Sequence, residues 1–430
     1  MIGLIGIIIL LLLMFFLEMP VGFAMAFVGT AGIWYVLSGD AALATVGSEI
    51  WETFSNYGLT VIPMFILMGQ ICFYCGVNQN LFNTAYTWMG RLRGGLAMAT
   101  VMACAGFSAI CGSNTATAAT MSSVALPEMR KYRYEPALST AAVACGSTLG
   151  VVIPPSVVLM VYGIYTEQSI GKLFWGSVLP GLVMTFLLCA AIAVMCVVHP
   201  DRGPGGPRTR MLDKVKVLPG ASEMIILFVL VMAGLYSGAY TPTEAGAAGV
   251  FFALLLGLIR GKLTWKGFVS AIADTLKVTC MIIIIVTGAV IFGRFLTISG
   301  LPQDLTDYVA RLALPPWAVM TFILVIYAVA GCVMDALGFL LVSIPIFFPL
   351  VVAMGYDPIW FGCILTVVTT LGAVTPPVGI SVYVVAGMNR DIPIGTIFSG
   401  VLWFLPVYIV TAVVMALWPG LVLFLPSLVR

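Results

Sequence analysis

Charge is scarce in this sequence. Asp, Glu, Lys and Arg together make up 8% of its 430 residues, where a soluble domain carries about 25%. Nineteen Lys+Arg and 17 Asp+Glu cannot cover a folded surface of this size, which excludes a soluble enzyme. The net charge of +2 is scattered, with no basic stripe to follow a phosphate backbone, so nucleic acid is not a partner. The single histidine, His199, has no cluster around it, and no P-loop is present, so ATP hydrolysis does not drive this chain. Ten cysteines fall at irregular spacings inside apolar stretches. Even Cys72 and Cys75, at CxxC spacing, lie on a helical apolar run and read as packing residues, not as a zinc or redox framework. No pairing of nucleophile and base, metal cluster or cofactor loop supports an enzyme.

What the sequence has instead is apolar length. A hydrophobic content of 61% and a mean hydropathy of +1.13 mark an integral membrane protein. The apolar run Ile2 to Leu17 lacks a basic n-region, and the pattern resumes after Glu18-Met19-Pro20, so it reads as a span and not a cleaved signal. Charge-free stretches recur along the chain, most of them suited to membrane helices. Two do not suit a simple crossing. Residues 94–127 and 312–356 would form straight helices of roughly 50 and 65 Å, against a hydrocarbon core of about 30 Å. Each must fold back, the first around Gly112-Ser113-Asn114-Thr115-Ala116-Thr117 and the second around Asp335. Irregular backbone at membrane depth is tolerated where protein buries it or a wet cavity lines it, so two polar tips point to a binding centre.

Internal repetition sharpens this reading. Pro127 to Pro155 aligns with Pro349 to Pro377 at a constant offset of 222 residues, with nine of 29 positions identical. The matches include Tyr134 and Tyr356, Pro136 and Pro358, Thr148-Leu149-Gly150 and Thr370-Leu371-Gly372, and two Pro-Pro pairs. The same offset sets Asp335 opposite Ser113. The expected fold is therefore an all-α polytopic membrane protein of two repeats, each with five spans, one re-entrant hairpin and a broken helix. An odd number of crossings inverts the second repeat relative to the first. The first repeat covers 1–200, with hairpin 95–127 and broken helix 137–166. A cytoplasmic linker follows at 201–221. The second repeat covers 222–430, with hairpin 313–350 and broken helix 358–389. Basic loops should lie on the cytoplasmic side. Arg91, Arg93, Arg130, Lys131, Arg133, Arg202, Arg208, Arg210, Lys214, Lys216, Arg260, Lys262, Lys266 and Arg390, 14 of the 19 cations, share one side in this topology. The other side carries Lys172, Arg311 and Arg430 with loops holding Asp40, Glu49, Glu52, Asp304, Asp307 and Asp357. Both termini then face outward.

Chemistry concentrates at the two breaks. Pro155 and Pro377 follow Gly150 and Gly372 in mid-membrane, where a proline pair cannot continue a helix and carbonyls lose their partners. Those carbonyls, with hydroxyls from a tip, form an oxygen-rich cage suited to a hard cation such as sodium. Pro154-Pro155-Ser156 and Thr375-Pro376-Pro377 are read as the starts of new half-helices, Thr375 as an N-cap, whose positive ends attract an anion. A lone proline is usually a kink; the duplicated pair with matched glycine, beside its own tip, favours function. Asp335 is read as a sodium ligand or its near neighbour, or as a carboxylate satisfied by a tip amide. Arg294 meets a substrate carboxylate or a protein acid. Glu244, in Thr241-Pro242-Thr243-Glu244, reads as a helix cap, and Lys277 as snorkelling or pairing with Asp274.

These residues carry a family resemblance. Gly112 to Thr117 with Pro127-Glu128-Met129, Gly146 to Ser156 (GSTLGVVIPPS), Ser169-Ile170-Gly171, Thr241 to Ala245 and Leu371 to Gly379 (LGAVTPPVG) resemble the large membrane subunit of tripartite ATP-independent periplasmic transporters, the DctM type, nearly end to end. The resemblance implies sodium-driven import of an organic acid, such as a C4-dicarboxylate or sialic acid, across the bacterial inner membrane. It implies two partners, a small four-helix membrane subunit of DctQ type and a periplasmic substrate-binding protein of DctP type. It implies an elevator motion, and no cofactor beyond sodium as coupling ion. Carried over, the first ion site involves Ser113, Asn114, Gly150 and the carbonyls near Pro154, and the second Asp335, Thr370, Gly372 and Thr375. The solute meets Ser113, Pro155, Ser156, Pro377 and Arg294. The alternative is a self-sufficient sodium/dicarboxylate symporter that needs no binding protein.

Overall fold

In a computed structural model of the chain, residues 2–206, 211–312 and 314–428 are described; Arg208, Arg210 and Arg430 lie outside them. Every regular element among the described residues is a helix. Seven of these helices are long and apolar enough to cross a membrane, or eight if Ile394–Val401 and Leu405–Leu417, bent by 40° at their join, count as one span.

Two stretches that the charge pattern placed in loops are helices. Asp40, Glu49 and Glu52 lie on Gly39–Ser55, where Ser38 Oγ accepts from Ala41 N at 3.2 Å and Asp40 occupies the first turn. Asp304 and Asp307 lie on Leu301–Arg311, which starts after Gly300 at φ +73°, a left-handed position that glycine takes at little cost. Acidic residues belong in loops only when helix ends and apolar faces cannot use them, and both segments have such a face. Helices also run past isolated charges that find partners. Trp265–Ile298 continues for 34 residues through Asp274, Lys277 and Arg294. Asp274 accepts from the Tyr74 hydroxyl at 2.7 Å and meets Lys277 at 3.7 Å. Glu244 completes a capping box with Thr241.

The segment 201–221 is only partly a linker, because the helix Met211–Tyr236 begins inside it. Its first residues are pinned. Gly94 N donates to Gly203 O at 2.9 Å, Gly206 N to Gly90 O at 2.7 Å and Glu135 N to Arg202 O at 2.9 Å. Arg202 pairs with Glu135 at 3.2 Å and stacks on Trp403, while Arg130 pairs with Asp391 at 2.7 Å. The basic loops around 90–94, 130–135, 199–206 and 389–391 are thus gathered at one end of the molecule.

The interior is built from Pro136–Ser147, Leu149–Val152, Val157–Tyr165 and Pro358–Val374. Every residue from 138 to 163 is buried. Around this lie the paired helices Gly95–Cys111 with Asn114–Lys131 and Pro316–Gly331 with Ala336–Ala353.

Candidate functional site

Two tight turns and two helix breaks meet at the centre. The first turn is set by Gly112, at φ +62°, which ends Gly95–Cys111. Ser113 then caps Asn114–Lys131: its Oγ accepts from Ala116 N at 3.4 Å and lies 3.1 Å from Thr115 Oγ1, while its carbonyl accepts from Thr117 Oγ1 at 2.7 Å. Asn114 is buried and turns back on the chain, its Oδ1 accepting from Thr115 N at 2.8 Å. The second turn joins Gly331 to Ala336. Asp335 is its N-cap, accepting from Leu337 N at 3.1 Å, and its residue remains exposed. The tip amide therefore occupies one carboxylate oxygen and leaves further acceptor capacity on that side chain.

The breaks follow from proline chemistry. Pro154 and Pro155 have no N–H, so the carbonyls of Gly150 and Val151 lack the donor that a continuing helix would bring four residues on. Pro377 deprives Ala373 in the same way. Both Pro-Pro bonds are cis.

Each turn docks on its own break through the same kind of contact. Val157 N, just past the first break, donates to Gly112 O at 3.5 Å; Val378 N, just past the second, donates to Cys332 O at 3.1 Å. The glycine before each break allows this approach. A Cβ on Gly150 would fall 2.6 Å from Ser113 O, and one on Gly372 would fall 2.5 Å from Cys332 N. These two positions need glycine because another backbone occupies the space a side chain would take. The structure thus brings Ser113, Asn114, Gly150 and Pro155 into one place, and sets Gly372 against the turn that carries Asp335. The two places interlock, since Val157–Tyr165 packs on Ala336–Ala353 and Ile380–Met388 packs on Asn114–Lys131.

The breaks are not equivalent. Ser156 is fully buried and caps Val157–Tyr165, its Oγ accepting from Leu159 N at 3.4 Å. Pro154 and Pro155 precede that helix instead of forming its first turn. Thr375 is not an N-cap: it ends Pro358–Val374, donating from Oγ1 to Leu371 O at 2.6 Å. The next helix, Ile380–Met388, starts after left-handed Gly379 with no side-chain cap. The reason lies in the residues: the 222-residue counterpart of Ser156 is Val378, which has no acceptor. Pro376 and Pro377 are exposed, so the second break is open where the first is closed. Thr370 points its hydroxyl to Val367 O at 2.7 Å. Thr148, its counterpart, has an extra partner that sequence spacing does not reveal, the fully buried Tyr408 hydroxyl at 3.0 Å, which also donates to Cys145 O at 3.2 Å.

Arg294 lies apart from both turns. It donates from Nε to Glu49 Oε1 at 2.7 Å across 245 residues of sequence, a partner with no local signal. The pair lines a cavity of about 670 Å³ between the outer helices Gly39–Ser55 and Trp265–Ile298 and the inner Val157–Tyr165 and Ala336–Ala353.

Comparison with known proteins identifies the family. Residues 8–421 match the family model for the tripartite ATP-independent periplasmic transporter, DctM component. The chain is 33% identical to the C4-dicarboxylate TRAP transporter large permease protein DctM of Pseudomonas aeruginosa, over 90% of each chain. It is 32% identical to the sialic acid TRAP transporter large permease protein SiaM of Vibrio cholerae, over 96% of each. Among solved structures the fold is similar to the Alcanivorax borkumensis YdaH transporter, with a TM-score of 0.64 at 14% identity and 90% of each chain covered.

Proposed function

The chain belongs to the DctM family, the large permease component of tripartite ATP-independent periplasmic transporters, and from that premise we propose that it is the sodium-coupled permease of an organic-acid importer. The observation that carries the reading is the paired docking of a polar turn on a proline break, Val157 N to Gly112 O and Val378 N to Cys332 O. Carbonyls stripped of their amide donors, beside hydroxyls and a carboxylate at a turn, match what a sodium ion coordinates. In this reading the first ion sits among Ser113, Asn114, Gly150 and the carbonyls near Pro154. The second sits among Asp335, Thr370, Gly372 and Thr375. The solute, a C4-dicarboxylate, sialic acid or similar carboxylate, passes near Ser113, Pro155, Ser156 and Pro377, with Arg294 on its route.

Transport then proceeds by an elevator motion of two inverted repeats, 1–200 and 222–430, in which turns and broken helices travel as one body. The basic end faces the cytoplasm of a bacterial inner membrane and both termini face the periplasm, in keeping with the bias of Lys and Arg toward cytoplasmic loops. A small DctQ-type membrane subunit and a DctP-type periplasmic binding protein complete the system; the chain itself performs no catalysis. Uptake into proteoliposomes under an imposed sodium gradient tests this directly. Uptake that needs all three components is expected. Uptake by this chain alone would instead identify a self-sufficient sodium/dicarboxylate symporter.

A further inference from the structure

The cavity of about 670 Å³ beside Arg294 has a composition of its own. Glu49 is 4% exposed, whereas the Arg294 side chain is 53% exposed. The buried carboxylate holds the guanidinium by its Nε edge at 2.7 Å, and the Nη edge has no protein acceptor among the described residues. An arginine fixed from behind with its remaining donors free is a receptor for one carboxylate, because the planar fork is already oriented. Glu52 and Glu167 line the same cavity at its exposed rim and form no ion pair among the described residues. Three carboxylates thus share the cavity with one guanidinium, and one of the three, Glu49, is already spent on it.

That balance discriminates between solutes. A dicarboxylate would bring two anionic groups to a single guanidinium and set one of them against Glu52 and Glu167, a like-charge arrangement that costs affinity. A solute with one carboxylate and one cationic group meets the opposite sign at both ends. We propose that this cavity receives a zwitterionic solute, its carboxylate on Arg294 and its ammonium group toward Glu52 and Glu167. The inference rests on the reading of the chain as a carboxylate permease and, within that class, sets a carboxylate that also carries a cation in place of the dicarboxylate.

The test uses the full chain with its small subunit in liposomes, Thr297→Cys as a reporter inside the cavity, and a Cys280→Ser background, since Cys280 is the exposed native thiol. Gln303→Cys serves as a second reporter should the first misfold. Labelling by a cationic (trimethylammonium) and an anionic (sulfonate) methanethiosulfonate is compared after normalisation to a free thiol. The cationic reagent should react about tenfold faster, as in a cleft lined by one sign of charge, and Glu52→Gln with Glu167→Gln should remove that bias. Glycine betaine should slow labelling severalfold while succinate does not. Replacing both members of the pair, Glu49→Gln with Arg294→Gln, should abolish this protection without leaving a buried charge unpaired. Protection by succinate equal to that by glycine betaine, or protection by neither, overturns the proposal. Labelling requires no turnover, so sodium-driven uptake without protection counts against this site alone, and protection without uptake in the complete system counts against the permease reading.

Discussion

A few single residues carry what the account asks of the centre. Asp335 both caps the helix Ala336–Ala353 and leaves carboxylate capacity exposed, and the two roles separate on substitution. Asn caps helices about as well as Asp, so Asp335→Asn is expected to insert and fold normally while losing sodium-dependent uptake; unchanged sodium dependence would remove Asp335 from the ion site. Ser156 makes the opposite case, a buried cap on the closed break. Ser156→Ala should cost about 1 kcal/mol, seen as a lower unfolding temperature in detergent. Arg294 and Asp335 illustrate what a linear sequence conveys. Isolation in an apolar run flags each as needing a partner, but Asp335 finds its partner two residues away and Arg294 finds it on a distant helix. Only the first is open to inference from neighbouring residues.

Between elements, the determining contacts are backbone on backbone. Gly150 and Gly372 were legible because the 222-residue repeat matched them; that each admits the opposing turn became visible only with both backbones in place. Gly150→Ala and Gly372→Ala should each push a turn off its break. Uptake should fall by more than about tenfold with the protein still in the membrane, and wild-type transport by either variant would mean the turns need not dock. The repeat also misled where its two copies diverge. Thr375 ends a helix just as its counterpart Ile153 does, and the copies part after the prolines, where Val378 and Gly379 replace the hydroxyl cap that Ser156 supplies. Tyr408, on Leu405–Leu417, supports the Cys145–Thr148 turn of the first break and has no matching contact at Thr370. Loss of one buried hydrogen bond is worth about 1 kcal/mol, so Tyr408→Phe should raise the sodium needed for half-maximal uptake, by at most about fivefold. A change in maximal rate alone would make Tyr408 a packing residue.

At the scale of the whole molecule, composition alone excluded a soluble protein, and the helical membrane fold followed from hydropathy. Amphipathic helices such as Gly39–Ser55 were harder to read, since acidic residues at a capped first turn look like loop residues when only charge is counted. Orientation remains a matter of charge distribution. A cysteine at Asp40 should label from outside and one at Lys262 only after permeabilisation; the reverse pattern would invert the topology. The central claim, that sodium bound between turns and breaks drives solute through this chain, is tested most directly by the sodium dependence of uptake in the reconstituted three-component system. A sigmoidal activation by sodium, abolished in Asp335→Asn while the protein remains folded and inserted, is the predicted result. Uptake that ignores the sodium gradient, or follows it unchanged in Asp335→Asn, would contradict the account.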